Sequence, residues 1–229
     1  MKKIFFILLF VSLGVGPVFG ADCGGATPCT PGDTVTSDYT LSGDLDCSGY
    51  TGSFCLECGE DGVDIDLGGY TITGHTTNVN TGILVNGYTN VNISNGSVIN
   101  CAVDNIKYTG ASSGTIDDIT ATGSGNQGFQ IEGTAVVTLN DVVGSSNADD
   151  GLSAHDDAII TLTGDCTFSS NTQQGVNIID GVIVNGSASV TLASNPTGIW
   201  VVDSLSSGKH SQLNLNGRVI ITGGATGIR

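Results

Sequence analysis

"GILVNGYTNVNISNGSVINCAVD", residues 82–104, is followed two units later by "GFQIEGTAVVTLNDVVGSSNADD", residues 128–150. Between them lies "NIKYTGASSGTIDDITATGSGNQ", and the pattern continues with units opening at Gly151, Gly175 and Gly198. The steps are 23, 23, 23, 24 and 23 residues. A fixed period of this size is the mark of a repeat architecture. The second residue of each unit is Ile83, Ile106, Phe129, Leu152, Val176 and Ile199, and the fourth is Val85, Tyr108, Ile131, Ala154, Ile178 and Val201. Alternation with period two means strand, with these side chains on one face. A second burst follows at Val91 and Ile93, Val137 and Leu139, and Ile160 and Leu162. Gly, Asn, Asp and Ser lie between the bursts, where turns need them.

No helix-period segment separates the units, so the spacing predicts a parallel β-solenoid with one coil per unit. A β-sandwich would not need a constant step. Equivalent residues then stack in columns ~4.8 Å apart. Asn95, Asp118 and Asp141 occupy one such column and read as a ladder of turns.

The chain begins "MKKIFFILLFVSLGVGPVFG", with two lysines, an apolar run and small residues at Val18 and Gly20. Residues 1–20 are expected to be a secretory signal peptide, leaving no membrane span after cleavage. Without it the formal charge is 4 − 22 = −18, against −16 for the full 229 residues. Such a surface repels nucleic acid and anionic lipid. Five of the seven cysteines fall between Cys23 and Cys58, and export favours disulfides over a metal site at Cys55 and Cys58. With five, at least one is free or pairs elsewhere. Cys101 and Cys166 are expected alone and buried in the wall. Residues 21–62 read as a disulfide-stapled cap, and 63–229 as the solenoid. Gly227-Ile228-Arg229 looks like the start of another coil.

"CTPGDTVTSDYTLSGDLDC", residues 29–47, followed by "VDIDLGGYTITG", residues 63–74, resembles the cap and first coil of exported bacterial right-handed parallel β-helix repeat proteins of the pectate-lyase-like superfamily. The resemblance covers residues 21–229. It implies an all-β, right-handed parallel β-helix located outside the cytoplasm: secreted, periplasmic or on the cell surface. It implies no single chemistry, since that superfamily includes lyases, hydrolases, epimerases and adhesins. The Asn-Thr-Asp, Asp-Asp, Gly-His-Gly and Arg-Ile-Lys segments of its polygalacturonase-like members are incomplete here. Gly74-His75-Thr76 lacks the second glycine and lies upstream, and no Arg-Ile-Lys is present. A lyase needs clustered basic residues, and Lys107 and Arg218 lie at least four coils apart.

"DDGLSAHDDA", residues 149–158, puts four aspartates and one of the chain's three histidines into ten positions. Glu132 and His155 hold the fifth position of successive coils, and Asp156, Asp180 and Asp203 the sixth. One rung apart, Asp156 and Asp180 are the carboxylate pair that acid–base glycoside hydrolysis requires, with His155 or Glu132 assisting. The same oxygens suit Ca²⁺, with Asp149, Asp150, Asp157 and Asp203 as candidate ligands. A turn role at a strand end accounts for them equally. Trp200, on an outward third position, is the candidate sugar platform. Two functions follow: a non-catalytic extracellular module that binds polysaccharide or another cell-surface component, or a carbohydrate-active enzyme built on Asp156 and Asp180.

Overall fold

The computed structural model describes residues 20–75, 77, 81–203 and 208–229. The expected leader lies outside them except for Gly20. Every regular element among the described residues is a β-strand, and every pairing between named strands is parallel. The chain is a parallel β-helix. One face is a ten-stranded sheet that includes Asp33–Val35, Phe54–Cys58, Thr81–Asn86, Asp104–Thr109, Phe129–Ile131, Leu152–Ala154, Gln174–Ile179 and Thr197–Val202. Two further faces share the other sheet, and the long strands Val91–Ile99 and Ser113–Thr122 run across both.

The register is the one that the 23-residue step requires. Ile83 pairs with Ile106, Ile106 with Phe129, Phe129 with Leu152, Leu152 with Val176, and Val176 with Ile199. These side chains are at most 2% exposed and form one apolar column. Val85, Tyr108, Ile131, Ala154 and Ile178 form the next. The Tyr108 hydroxyl, buried with its ring, donates to the Val91 carbonyl oxygen at 2.8 Å. A third apolar column, absent from the reading of the sequence, runs Ile72, Val98, Ala121, Gly144, Phe168, Leu192 and Ile221. Phe168 meets Phe129 edge to face at 6.5 Å. Gly144 makes room for this, since a Cβ there would sit 3.0 Å from the Phe168 ring.

Corners between faces are left-handed residues stacked in columns. The first runs Gly87, Gly110, Gly133, Asp156 and Asp180, with φ of 82°, 71°, 75°, 65° and 57°. The second runs Asn95, Asp118, Asp141 and Gly164, the third Asn100, Gly123, Ser146, Ser170 and Ser194. Only Gly adopts this conformation freely, and Asn and Asp offset its cost by local hydrogen bonds.

Behind the third corner lies a buried polar ladder. The Asn171 Oδ1 accepts from the Asn147 backbone N at 3.0 Å and from Asn147 Nδ2 at 3.1 Å. Asn195 Oδ1 does the same for Asn171, at 2.9 and 3.2 Å. Their own amides donate to the carbonyls of Gly144 and Phe168. The glycines that open each coil pack on this ladder: a Cβ on Gly128, Gly151 or Gly175 would lie 2.7 Å from Asn147, Asn171 or Asn195. Where the ladder shortens to Ser124, the coil-opening residue is Asn105, whose amide donates to the Thr122 carbonyl at 3.1 Å. The polar side chain has moved to the neighbouring column.

Residues 21–62 carry the disulfides Cys23–Cys29 and Cys47–Cys55. Cys58, Cys101 and Cys166 are buried and free. The parallel ladder already runs through this segment, where Asp33 pairs with Leu56 and Val35 with Cys58. Coiling therefore starts before the expected first strand pair at 63–74, and the stapled segment is itself wound. Its irregular spacing hid this, because Leu56 and Ile83 pair across a longer step than 23 residues.

Replacing Asn171 with Ala strips acceptors from two buried amide groups of Asn147. Each orphaned group costs about 1–3 kcal/mol. We expect a loss of about 2–5 kcal/mol by denaturant titration, against under about 1 kcal/mol for the exposed Thr172→Ala.

Candidate functional site

The outer surface of the ten-stranded sheet carries a dense polar network. The third-position column reads Leu84, Lys107, Gln130, Ser153, Asn177 and Trp200. A second column just precedes each coil's first residue and includes Asp104, Gln127 and Asp150. Gln130, Ser153, Asp104, Gln127 and Asp150 are all buried although they lie outside the solenoid's core.

Contacts in this layer run between coils. Lys107 Nζ sits 2.8 Å from Glu132 Oε1, which also accepts from Thr109 Oγ1 at 2.9 Å. Burial pushes the Glu132 carboxyl up, but these two hydrogen bonds outweigh it and hold the group below its ordinary range. Ser153 Oγ and His155 Nε2 share a hydrogen bond of 2.8 Å. Asp150 accepts from the Gln174 backbone N and from Asn177 Nδ2, both at 2.9 Å. Gln127 Nε2 donates to Asp149 Oδ2 at 3.0 Å. Burial raises Asp104 and Asp150 to about 6, and raises Asp149 as well. Three enclosed oxygens on this face have no partner: Gln127 Oε1, Asp149 Oδ1 and Asn177 Oδ1.

The residues singled out from sequence separate into two places. Glu132, Asp149, Asp150, His155 and Trp200 belong to this face. Asp156 and Asp180 stand instead at the first corner, in successive left-handed positions. Lys209 Nζ meets Asp157 there at 2.6 Å, with Asp156 and Asp180 close enough for their charges to act on it. Asp203 accepts from the Ser211 backbone N at 2.8 Å and lies 3.5 Å from His210 Nδ1. The expected cation site is not assembled: Asp149 and Asp150 precede the strand Leu152–Ala154, whereas Asp157 follows it and Asp203 sits at a later corner. Among the described residues no three His, Cys, Asp or Glu side chains converge as metal ligands. Trp200 is outward-facing as expected, and the Arg229 guanidinium lies 4.7 Å over its ring.

Asp104, Gln127, Gln130, Ser153 and Asn177 were missed. Their signal was present, since Thr81, Asp104, Gln127, Asp150, Gln174 and Thr197 put a polar residue before every coil. A separate groove of about 600 Å³ borders Asp38, Asp64, Asp66, Asn92 and Asp117 on another face. Its carboxylates already serve the chain: Asp64 accepts from Asn92 Nδ2, Asp66 from Asn95 Nδ2 and Asp117 from Asn140 Nδ2.

No protein-family model matches the chain, and no curated protein is similar to it in sequence. Among solved structures it is similar to the pectate lyase Pel9A, at 12% identity over 85% of this chain and 70% of that one, with a TM-score of 0.46. It is also similar to the catalytic domain of a GH87 alpha-1,3-glucanase in complex with nigerose, at 13% identity over 93% of this chain and 66% of that one, with a TM-score of 0.25. At these levels the likeness concerns the fold alone.

Two outcomes follow from this geometry. Asp104 and Asp150 titrate near 6 when folded, against an ordinary 3.8. Between these values the folded chain keeps protons that the unfolded chain has lost, so stability falls as pH rises through the window. Each group accounts for on the order of 2 kcal/mol. Denaturant titrations should show a smaller pH 4.5-to-7 difference in Asp150→Asn than in the parent. At the corner, Asp156→Gly should leave the melting temperature near the parent's, whereas Asp156→Val should cost about 1–2 kcal/mol through its left-handed φ.

Proposed function

We propose that the chain is an extracellular carbohydrate-binding module, and that the outer face of its ten-stranded sheet holds the glycan. The observation that carries this is the group of partly exposed polar side chains on successive coils of that face: Lys107, Glu132, Asp149, His155 and Asn177. Sugar hydroxyls both donate and accept hydrogen bonds, so they suit a row of amides, carboxylates and basic groups. Side chains on successive coils repeat every ~4.8 Å, so an extended chain can meet several of them together. The disulfides Cys23–Cys29 and Cys47–Cys55 fit an oxidising compartment.

A second reading, a glycoside hydrolase, has one observation in its favour. Asp104 and Asp150 are both raised to about 6 on one face. Two rungs separate them, ~10 Å, close to the spacing of an inverting pair. Binding is preferred because these carboxyls are 2% and 1% exposed, and Asp150 has both oxygens occupied. A general acid must reach the glycosidic oxygen.

Affinity electrophoresis and calorimetry against a panel of polysaccharides test the proposal. At least one should bind, and Asn177→Ala should weaken it about tenfold, the equivalent of one hydrogen bond. No binding, or binding indifferent to Asn177→Ala, overturns it. Release of reducing ends by the parent protein, lost in Asp150→Asn, turns the assignment to the hydrolase.

A further inference from the structure

The face between the second and third corners carries no charge on its outer side. Two outward columns run along it, flanking the inward column of Ile72 to Ile221. One starts at Thr71 and passes Thr120 and Thr167 to Ile220, and the other starts at Thr73 and passes Thr122 to Thr222. Of these fourteen positions seven are Thr, three are Ser and four are aliphatic. All fourteen are at least partly exposed. In a chain with 22 acidic residues this exclusion is local, since the adjoining face has outward Asp64, Asp66 and Asp117 and the ten-stranded sheet has Lys107.

The hydroxyls are also left free. On the adjoining face side chains bond one another: Asp64 accepts from Asn92, Asp117 from Asn140, and Asn140 from Thr163. Among the described residues none of the ten hydroxyls on the uncharged face bonds to the chain. Their partner is water. They form a two-dimensional array, because every step along both columns is in register. Rungs repeat every ~4.8 Å and alternate residues of a strand every ~6.6 Å. Water bonded tetrahedrally at ~2.75 Å places second-neighbour oxygens ~4.5 Å apart, and the hexagonal lattice it builds repeats every ~7.3 Å along its axis. Both spacings of the face come close to those of the solid.

Other occupants fit less well. Protein interfaces draw on aromatic, Met and Arg side chains, and small-ligand sites on aromatic and charged ones, and this face has none of them. A single surface hydroxyl gains little from fixing a liquid water, because immobilisation costs entropy. Water in ice is already fixed, so a matched array bonds it without that cost.

We propose that this face binds the surface of ice, with the Thr and Ser hydroxyls of both columns standing at lattice positions of the solid. The function is separate from glycan binding, which uses the other sheet.

The gap between the melting and freezing points of a seed crystal measures it. The parent protein should open that gap and shape the crystal into facets. Thr120→Tyr or Thr167→Tyr would hold a flat solid away from the neighbouring hydroxyls, and each should shrink the gap about tenfold. Thr161→Tyr makes the same change on the adjoining face and should leave the gap as in the parent. Far-UV spectra and melting curves check that all three variants fold. No gap and no faceting by the parent, or equal losses from Thr161→Tyr and Thr120→Tyr, overturns the inference. Sedimentation that shows a dimer dissociated by Thr120→Tyr also overturns it, and makes the face a subunit interface.

Discussion

Parallel pairing requires each coil to return to the same phase as the one beneath it. A one-residue slip would turn every inward side chain outward. Here the return is enforced at three corners per coil by stacked left-handed residues, and at the third by the Asn147–Asn171–Asn195 ladder. The ladder is buried, so each amide must find its neighbour or remain unsatisfied in a medium that penalises it. That penalty is what holds successive coils in register. Coil-opening glycines exist because the ladder occupies the space a Cβ would take.

The proposed site depends on the same constraint. Gln127, Asp150 and Asn177 are far apart in the chain, and they meet only because Phe129, Leu152 and Val176 are in register beneath them. Outward residues on a solenoid are normally solvated. On this face they are packed tightly enough to bury five polar side chains, and burial lifts Asp104 and Asp150 toward neutrality. The face therefore combines carboxyls shifted toward neutrality, the Lys107–Glu132 ion pair and enclosed amide oxygens. A regular wall would not create that combination without long polar side chains on neighbouring rungs.

Recognition of the architecture from sequence worked where the period was constant. The columns of Ile83 and Val85 were legible because period-two bursts repeat every 23 residues. It faltered over residues 21–62, where the coil joining Leu56 to Ile83 is longer than the 23- and 24-residue coils that follow it up to Ile199. It also missed the third apolar column, in which Gly144 and Ala121 are too small to register as hydrophobic. At the site, attention went to the acid-rich run 149–158. Asp156 is there to turn the chain, and its φ of 65° says so. The asparagine column at 147, 171 and 195 carried its own signal and went unread because it lies among turn residues.

By itself the sequence determined the coil length, the strand faces and the stacking order, because these follow from periodicity and from which residues tolerate a corner. Tertiary structure alone decided which polar side chains are enclosed and which of their atoms lack partners. Pairing of atoms depends on distances of a few tenths of an ångström between residues 22 to 27 positions apart, such as Gln127 with Asp149 and Asn177 with Asp150. No pattern along one dimension encodes that, since the same aspartate is a turn residue, a buried acid or a ligand's partner according to what the next coil places against it.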